Sequence, residues 1–207
     1  MDTLIGPVPD DWTVAALRTV CNIQAGPSGT AIRSAYRVVA GVPVVAPKNL
    51  RNGRVVGGHV DYIAPETAYN LARYRLMGGD ILCTRTGELG RCACVRDDQE
   101  GWLFATGLLR LRPGAKVRAG YLVPYLALPA VRDWVHRQAT GTAVPTISVQ
   151  AYGTLTVVVP PLAVQDAISE VLVALDAKVD IHERISQSAA RLRDTLAPLL
   201  ITGAIGT

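Results

Sequence analysis

The sequence predicts an α/β (α+β) chain. One globular mixed-sheet domain spans residues 1–160, a long coiled-coil helix spans 161–200, and a tail covers 201–207. Three observations carry this. Short apolar runs separated by Gly, Pro and Asn turns fill the chain up to Pro160. From Leu162 to Ala197 there is neither Gly nor Pro. Within that stretch, side chains fall into two mostly apolar columns at a spacing of seven. One column is Ile168, Leu175, His182, Ala189 and Leu196; the other is Val171, Lys178, Ile185, Leu192 and Leu199. Such a stripe is a helix–helix seam. At ~1.5 Å per residue the stretch is on the order of 54 Å long, beyond the ~8–20 residues usual for a globular helix. The dimerisation candidates are therefore Ile168, Val171, Leu175, His182, Ile185, Leu192 and Leu196. His182 and Lys178 interrupt the columns. Either their long stems reach past the seam to water, or they fix register and partner, as buried polar residues do in coiled coils.

The elements before the helix follow from local chemistry. Trp12 to Ile23 reads as a short helical or extended segment anchored by Trp12, Leu17 and Val20. Gly26-Pro27-Ser28-Gly29 is a turn by composition. Val42 to Val45 is a short strand. The Asn52-Gly53 pair favours a type I′ hairpin turn, placing Arg51 and Arg54 at a loop tip. Thr67 to Tyr74 has helical spacing. Asp80 to Thr84 is a strand, turned back by Gly87-Glu88-Leu89-Gly90 into Arg91 to Val95. Trp102 to Leu111 is a further strand region. Tyr121 to Gln138 is a helix bent near Pro124 and Pro129, with Arg132, His136 and Arg137 at the end where the helix dipole favours cations. Leu155 to Val159 is a last buried strand; Pro160-Pro161 ends it and opens the long helix. No internal repeat or low-complexity tract is present.

Charge is divided unevenly. Residues 162–207 hold four basic and six acidic side chains, whereas the remaining 161 residues hold 17 basic and 11 acidic. Between Arg33 and Arg96 there are ten basic and four acidic residues, and arginine supplies 18 of the 21 positive charges. Arginine offers a rigid donor fork that matches phosphates and guanine edges. A basic domain joined to a near-neutral helix points to nucleic acid on the first and protein on the second.

Other classes are disfavoured. No stretch approaches the ~18–20 uncharged apolar residues of a membrane span. The opening residues carry no basic n-region or apolar h-region, so no export signal is expected. Cys21, Cys83, Cys92 and Cys94 form no C-x-x-C pair and no zinc-finger spacing with His. They are expected to be free, buried thiols in a reducing cytoplasm, with Cys92 and Cys94 on one face of a strand. Thr86-Gly87-Glu88-Leu89-Gly90-Arg91 lacks the spacing and lysine of a phosphate loop. Pro160-Pro161-Leu162 lacks the Asp or Asn and the aromatic that flank the prolines of adenine methyltransferases, so the chain is not expected to methylate DNA itself. No G-x-S-x-G elbow is present, and His59, His136 and His182 lie far apart.

Several stretches resemble the specificity subunit of type I restriction–modification systems. Pro9-Asp10-Asp11-Trp12, Leu17 and Ile23-Gln24-Ala25-Gly26 resemble that family's opening. Gly79-Asp80-Ile81-Leu82-Cys83-Thr84-Arg85-Thr86-Gly87 resembles its GDILxTRxG hairpin, and Thr106-Gly107-Leu108-Leu109-Arg110-Leu111 the strand that follows. Thr140 to Ser148 resembles its TGSxxPxIS loop, and Pro160-Pro161-Leu162-Ala163-Val164-Gln165-Asp166-Ala167-Ile168 the PPLxEQxxI start of its long helix. The order and spacing match over nearly the whole chain.

The resemblance implies a non-catalytic subunit that directs an adenine methyltransferase subunit, and a restriction subunit if one exists, to a DNA sequence. S-adenosylmethionine, ATP and Mg would then belong to partner subunits, and this chain would need no cofactor or metal. A full family member carries two target recognition domains and two antiparallel helices. This chain has one of each, so it resembles a half-subunit that would pair as a homodimer on a two-part palindromic target. The second reading is an interaction protein or inhibitor related to such a system, without specific DNA reading.

Base-reading loops vary within the family, so candidates come from chemistry. Lys48, Asn49, Arg51, Asn52 and Arg54 cluster on one turn and offer forks and amides suited to base edges. Arg33 and Arg37 lie in another loop near Tyr36. Arg73, Arg75, Arg85 and Arg91 are suited to phosphates. Thr140, Thr142 and Thr146 sit beside a glycine turn. Either they hold a phosphate, or their loop docks the domain onto its helix.

Overall fold

The computed structural model describes residues 2–29, 31–32 and 37–204. In chain order the elements are β1 (Asp2–Thr3), β2 (Gly6–Pro7), β3 (Thr13–Ala16), α1 (Leu17–Val20), β4 (Cys21–Ala25), β5 (Arg37–Val38) and β6 (Val42–Val45). Next come β7 (Leu50–Arg51), β8 (Gly53–Val55), β9 (Asp61–Ile63), α2 (Pro65–Tyr69), β10 (Ile81–Thr84), β11 (Cys92–Cys94), β12 (Leu103–Phe104) and β13 (Leu108–Pro113). The chain closes with α3 (Ala119–Ala127), α4 (Pro129–Gln138), α5 (Val149–Gly153), β14 (Thr156–Val159) and α6 (Leu162–Ile201). This is the mixed α/β architecture with a long C-terminal helix that the sequence predicts.

The central sheet has six strands in the order β4-β13-β10-β11-β8-β7. All its pairs are antiparallel except β11 with β8. Side chains alternate between its faces. Leu82, Ala93, Val95 and Leu108 point to one face and join a buried cluster with Val44, Val45, Ile63, Tyr74, Leu103 and Phe104. Several of these come from a second sheet, ordered β12-β6-β9-β5. Ile81, Cys83, Cys92, Leu109 and Leu111 are buried on the other face. Tyr152 of α5 reaches that face, its hydroxyl lying 3.8 Å from the Cys92 sulfur. β14 pairs with β3 in a separate two-stranded sheet.

Three elements differ from the sequence reading. The segment read as one helix from Thr67 to Tyr74 is α2 followed by a 3-10 turn over Ala72–Tyr74. Ala68, Leu71 and Tyr74 are all buried. A spacing of three eclipses in 3-10 geometry, so the tighter turn places all three in the core. The helix read from Tyr121 to Gln138 is two helices. Leu128 is extended at ψ 139° because it precedes Pro129, whereas Pro124 lies inside α3 without ending it. The strand region from Trp102 to Leu111 is also two elements in different sheets. Leu108 N–H donates to the Ala105 carbonyl across a turn at Gly107. A Cβ at Gly107 would sit 2.9 Å from Pro47 Cγ, so only glycine fits there. The predicted type I′ turn is present, with Asn52 at φ 48° and Gly53 at φ 72°.

The chain divides into compact units at Met1–Asp166 and Ala167–Thr207, so the first turn of α6 belongs to the globular unit. Gln165 explains why. Fully buried, it accepts a bond from Arg118 N–H and donates to the carbonyls of Lys116 and Pro160. In the second unit α6 runs through Pro198 to Ile201, roughly 60 Å at the helical rise. Val171, Leu175, Ile185 and Leu192 of the predicted seam are each more than half exposed. Ile168 and Leu196 are half-buried, and Lys178 and His182 exposed. Among the described residues no helix is long and apolar enough to cross a membrane.

Candidate nucleic-acid interface

Strand directions gather most of the predicted residues at one end of the central sheet. β10 runs toward Thr84 and turns through 85–91 into β11. β13 begins at that same end, since Leu108 pairs with Thr84. β4 ends there, since Ala25 pairs with Leu109. β8 lies parallel to β11, with Gly53 beside Ala93, so the Arg51–Arg54 hairpin tip emerges at this end too. Pro47 and Thr86 both approach Gly107. Arg37, Asp61, Thr106 and Gly107 line one small cleft beside them.

The loop over 140–146 joins the same end. Thr140 and Thr146 exchange two backbone hydrogen bonds of 2.8 Å. Gly87 N–H donates to the Pro145 carbonyl, and Ile147 N–H to the Arg85 carbonyl. The docking partner seen for this loop is thus the Arg85–Gly87 segment. Thr140 and Thr142 stay exposed.

The individual side chains are in different states. Arg51 and Arg54 stand directly opposite one another on β7 and β8. Arg85 has a buried Nε with no hydrogen-bond partner among the described residues. Arg37 and Lys48 both approach the Asp61 carboxylate, at 3.4 and 3.8 Å. Arg91 is engaged by Glu88 through two hydrogen bonds, so its charge is largely neutralised on the protein itself.

Asn49 departs from the expectation. It is buried, its carbonyl oxygen accepts from Ala46 N–H at 2.9 Å, and its amide donates to the Val56 and His59 carbonyls. Its donors and acceptor brace the loop and are not turned to base edges. Arg73 departs as well: it sits in the 3-10 turn Ala72–Tyr74. Its guanidinium stacks 4.8 Å over the Tyr74 ring and donates to the Tyr74 hydroxyl. Arg75 donates to the Gly101 carbonyl in the same region. Arg33 and Tyr36 lie outside the described residues.

Sequence reasoning missed two features of this end and one of the opposite end. Asp61 ties two predicted cations together, although β9 alone gives no sign of it. Arg132 packs beside Gly90, where an added Cβ would sit 3.1 Å from its Nε; it lies in the first turn of α4 and not at the helix end the sequence suggests, because a new helix starts at Pro129. The Asp80–Arg112 pair anchors the far end of β10 and β13, with both bonds 2.7 Å. Hydrogen bonding to Asp80 raises the Arg112 pKa, whereas burial lowers that of Arg110, which lies over the Phe104 ring.

Residues 9–191 match the family described as "Type I restriction modification DNA specificity domain". The chain belongs to that family. Among curated members, this specificity domain is 23% identical over 195 residues to the type I restriction enzyme EcoBI specificity subunit of Escherichia coli, covering 93% of this chain and 41% of that protein. It is 22% identical to the MjaVIII specificity subunit of Methanocaldococcus jannaschii, covering 97% of this chain and 48% of that one. Its fold is similar to the crystal structure of the HsdS subunit from Thermoanaerobacter tengcongensis, with a TM-score of 0.64, 18% identity, and 94% and 46% of the two chains covered. A chain from a structural study of complex assembly and conformational transition of the type I R-M system gives a TM-score of 0.68 at 20% identity, covering 92% and 45%. The specificity domain thus spans about half the length of the relatives it matches.

Proposed function

We propose that this chain is a non-catalytic DNA-recognition subunit of a type I restriction–modification complex. It directs an adenine methyltransferase subunit, and a restriction subunit where one is present, to a specific duplex sequence in the cytoplasm. The observation that carries this reading is the convergence of Arg37, Lys48, Arg51, Asn52, Arg54, Arg85 and the 140–146 loop at one end of the central sheet. Forks and amides on separate loops are what base and phosphate contacts need. The chain itself binds no cofactor or metal; S-adenosylmethionine, ATP and Mg are bound by partners.

The same reading makes the active unit a homodimer. The exposed seam of α6 supplies a self-complementary surface, and an antiparallel pair would rebuild a two-domain subunit with twofold symmetry. Each domain then reads one half-site of a palindromic target. A second reading, an interaction protein without specific DNA reading, draws on Asp61 and Glu88, which neutralise three of the predicted cations.

The deciding experiment is adenine-methylation mapping of a host genome after co-expression with the neighbouring methyltransferase subunit. A two-part palindromic motif supports recognition and the homodimer together. An asymmetric two-part motif keeps recognition and overturns the homodimer. No methylation, with both proteins folded and associated, favours the second reading.

A further inference from the structure

Cys83 and Cys92 face each other across the first rung of the hairpin that carries Arg85 and Arg91. The adjacent rung, Thr84 with Arg91, carries a backbone hydrogen bond of 2.9 Å. In an antiparallel ladder the Cys83–Cys92 rung is therefore the close one, with Cα atoms about 4.5 Å apart. That separation lies inside the roughly 4.4–6.8 Å range that a disulfide spans. The two sulfurs are 2.9 Å apart, and both thiols are buried, at 1% and 7% exposure. The Tyr152 hydroxyl lies 3.8 Å from the Cys92 sulfur. Nothing in the DNA-recognition reading uses this pair.

We propose that Cys83 and Cys92 are an oxidative modification site, forming a reversible cross-strand disulfide that locks the 85–91 hairpin, with a small hydroperoxide as the oxidant. Cys92 is the more exposed of the two and reacts first. Its sulfur takes the terminal oxygen of the hydroperoxide to become a sulfenic acid, and water or the corresponding alcohol leaves. The Cys83 sulfur then attacks the Cys92 sulfur. The S–S bond forms, the S–O bond breaks, and the hydroxyl leaves as water with the Cys83 proton. Overall the two thiols are oxidised by two electrons and the peroxide is reduced. A small thiol reverses the step by exchange. Closure covalently ties the two ends of the turn bearing Arg85 and Arg91. Cys94 lies outside the rung, on the same face but paired in register with Ile81.

The test uses the full chain and hydrogen peroxide, read by thiol titration, intact mass and peptide mapping. The expected result is loss of two of the four thiols and a mass lower by about 2 Da, as two hydrogens leave. Trypsin then releases the segment ending at Arg85 joined to the segment beginning at Cys92, and dithiothreitol separates them. C94S retains this link and C92S abolishes it. Fragmentation of the linked tryptic peptides from the unsubstituted chain, one of which holds both Cys92 and Cys94, assigns the link without relying on a variant to fold. Oxidation without a link, or a link through Cys94 or Cys21 instead, overturns the proposal. A linked chain whose hairpin is cut and released by trypsin as readily as in the reduced chain overturns the locking.

Discussion

Asp80 and Arg112 form a two-pronged ion pair across neighbouring strands, with each bond 2.7 Å long, although Asp80 is only 1% exposed. The second carboxylate oxygen also accepts from Met77 N–H at 2.9 Å, closing the turn that leads into β10. The aspartate of the GDIL stretch therefore fixes the strand that ends in Arg85. The two partners are not equivalent. The Arg112 side chain is 35% exposed and reaches water without its partner, whereas Asp80 does not. R112M is expected to destabilise the fold by about 3–5 kcal/mol, the cost of an unpaired buried charge. D80N keeps a polar group of similar shape and is expected to cost about 1–3 kcal/mol. Urea unfolding of both variants checks this, and the reverse ranking would overturn the asymmetry.

Asn49 makes a separate stability prediction. N49A leaves Ala46 N–H and the Val56 and His59 carbonyls without their partner. A loss of about 1–3 kcal/mol is expected. Methylation mapping with N49A should return the same motif at lower occupancy. A changed motif would return Asn49 to the base-reading set.

These two residues mark what was legible in the sequence. The long helix, the type I′ hairpin and the strands around Cys83 and Cys92 follow from period and turn chemistry, which are local. Asn49 sits two residues from Arg51 and shares its loop, yet its amide is consumed by carbonyls seven and ten residues away. Arg73 and Arg85 look alike in sequence, but Arg73 lies over the Tyr74 ring in a 3-10 turn, whereas Arg85 carries the carbonyl that holds the 140–146 loop. The breaks at Leu71 and Leu128 had different sources. The second was legible in Pro129, whereas the first depends on which side chains the core takes.

If the sheet end binds DNA as proposed, acidic neighbours set how much positive charge it offers. E88A releases Arg91, and D61N releases Arg37 and Lys48. Each is expected to tighten binding to any duplex several-fold at low salt and to steepen the salt dependence by about one phosphate contact per cation freed. R51A should weaken binding, whereas R91A, with its charge already engaged, should change it little. Fluorescence anisotropy over a salt series separates these cases. If E88A and D61N bind as the unsubstituted chain does, those carboxylates do not control the surface.

Alkaline pH should destabilise the globular unit through its buried thiols. Burial pushes Cys21 up to about 12, from an ordinary value of 9.0. Above pH 9 the unfolded chain loses this proton while the folded chain keeps it. Stability is then intact below the ordinary value and falls as pH rises through the window from 9 to 12. Each such thiol contributes a slope of about 1.4 kcal/mol per pH unit. Burial also raises Cys83, so C21A should flatten the fall without removing it. Urea midpoints from pH 8 to 11 test this, and an unchanged slope in C21A would refute it.

The seam of α6 makes the strongest demand on assembly. Val171, Leu175, Ile185 and Leu192 are each at least 53% exposed in the single chain, and a seven-residue repeat of such side chains is stable only when a second helix covers it. The unsubstituted chain is expected to sediment as a dimer at micromolar concentration. Paired substitution I185E and L192E should give a monomer whose globular unit keeps its near-ultraviolet spectrum, because neither residue belongs to that unit. The polar interruptions report on register. If Lys178 and His182 fix it, K178L with H182L should raise the melting temperature and yield mixed oligomers, since a purely apolar seam no longer selects one alignment. If those side chains only reach past the seam to water, the same pair should leave a single dimer of similar stability. A monomeric unsubstituted chain at that concentration, with no partner subunit present, would remove the homodimer altogether.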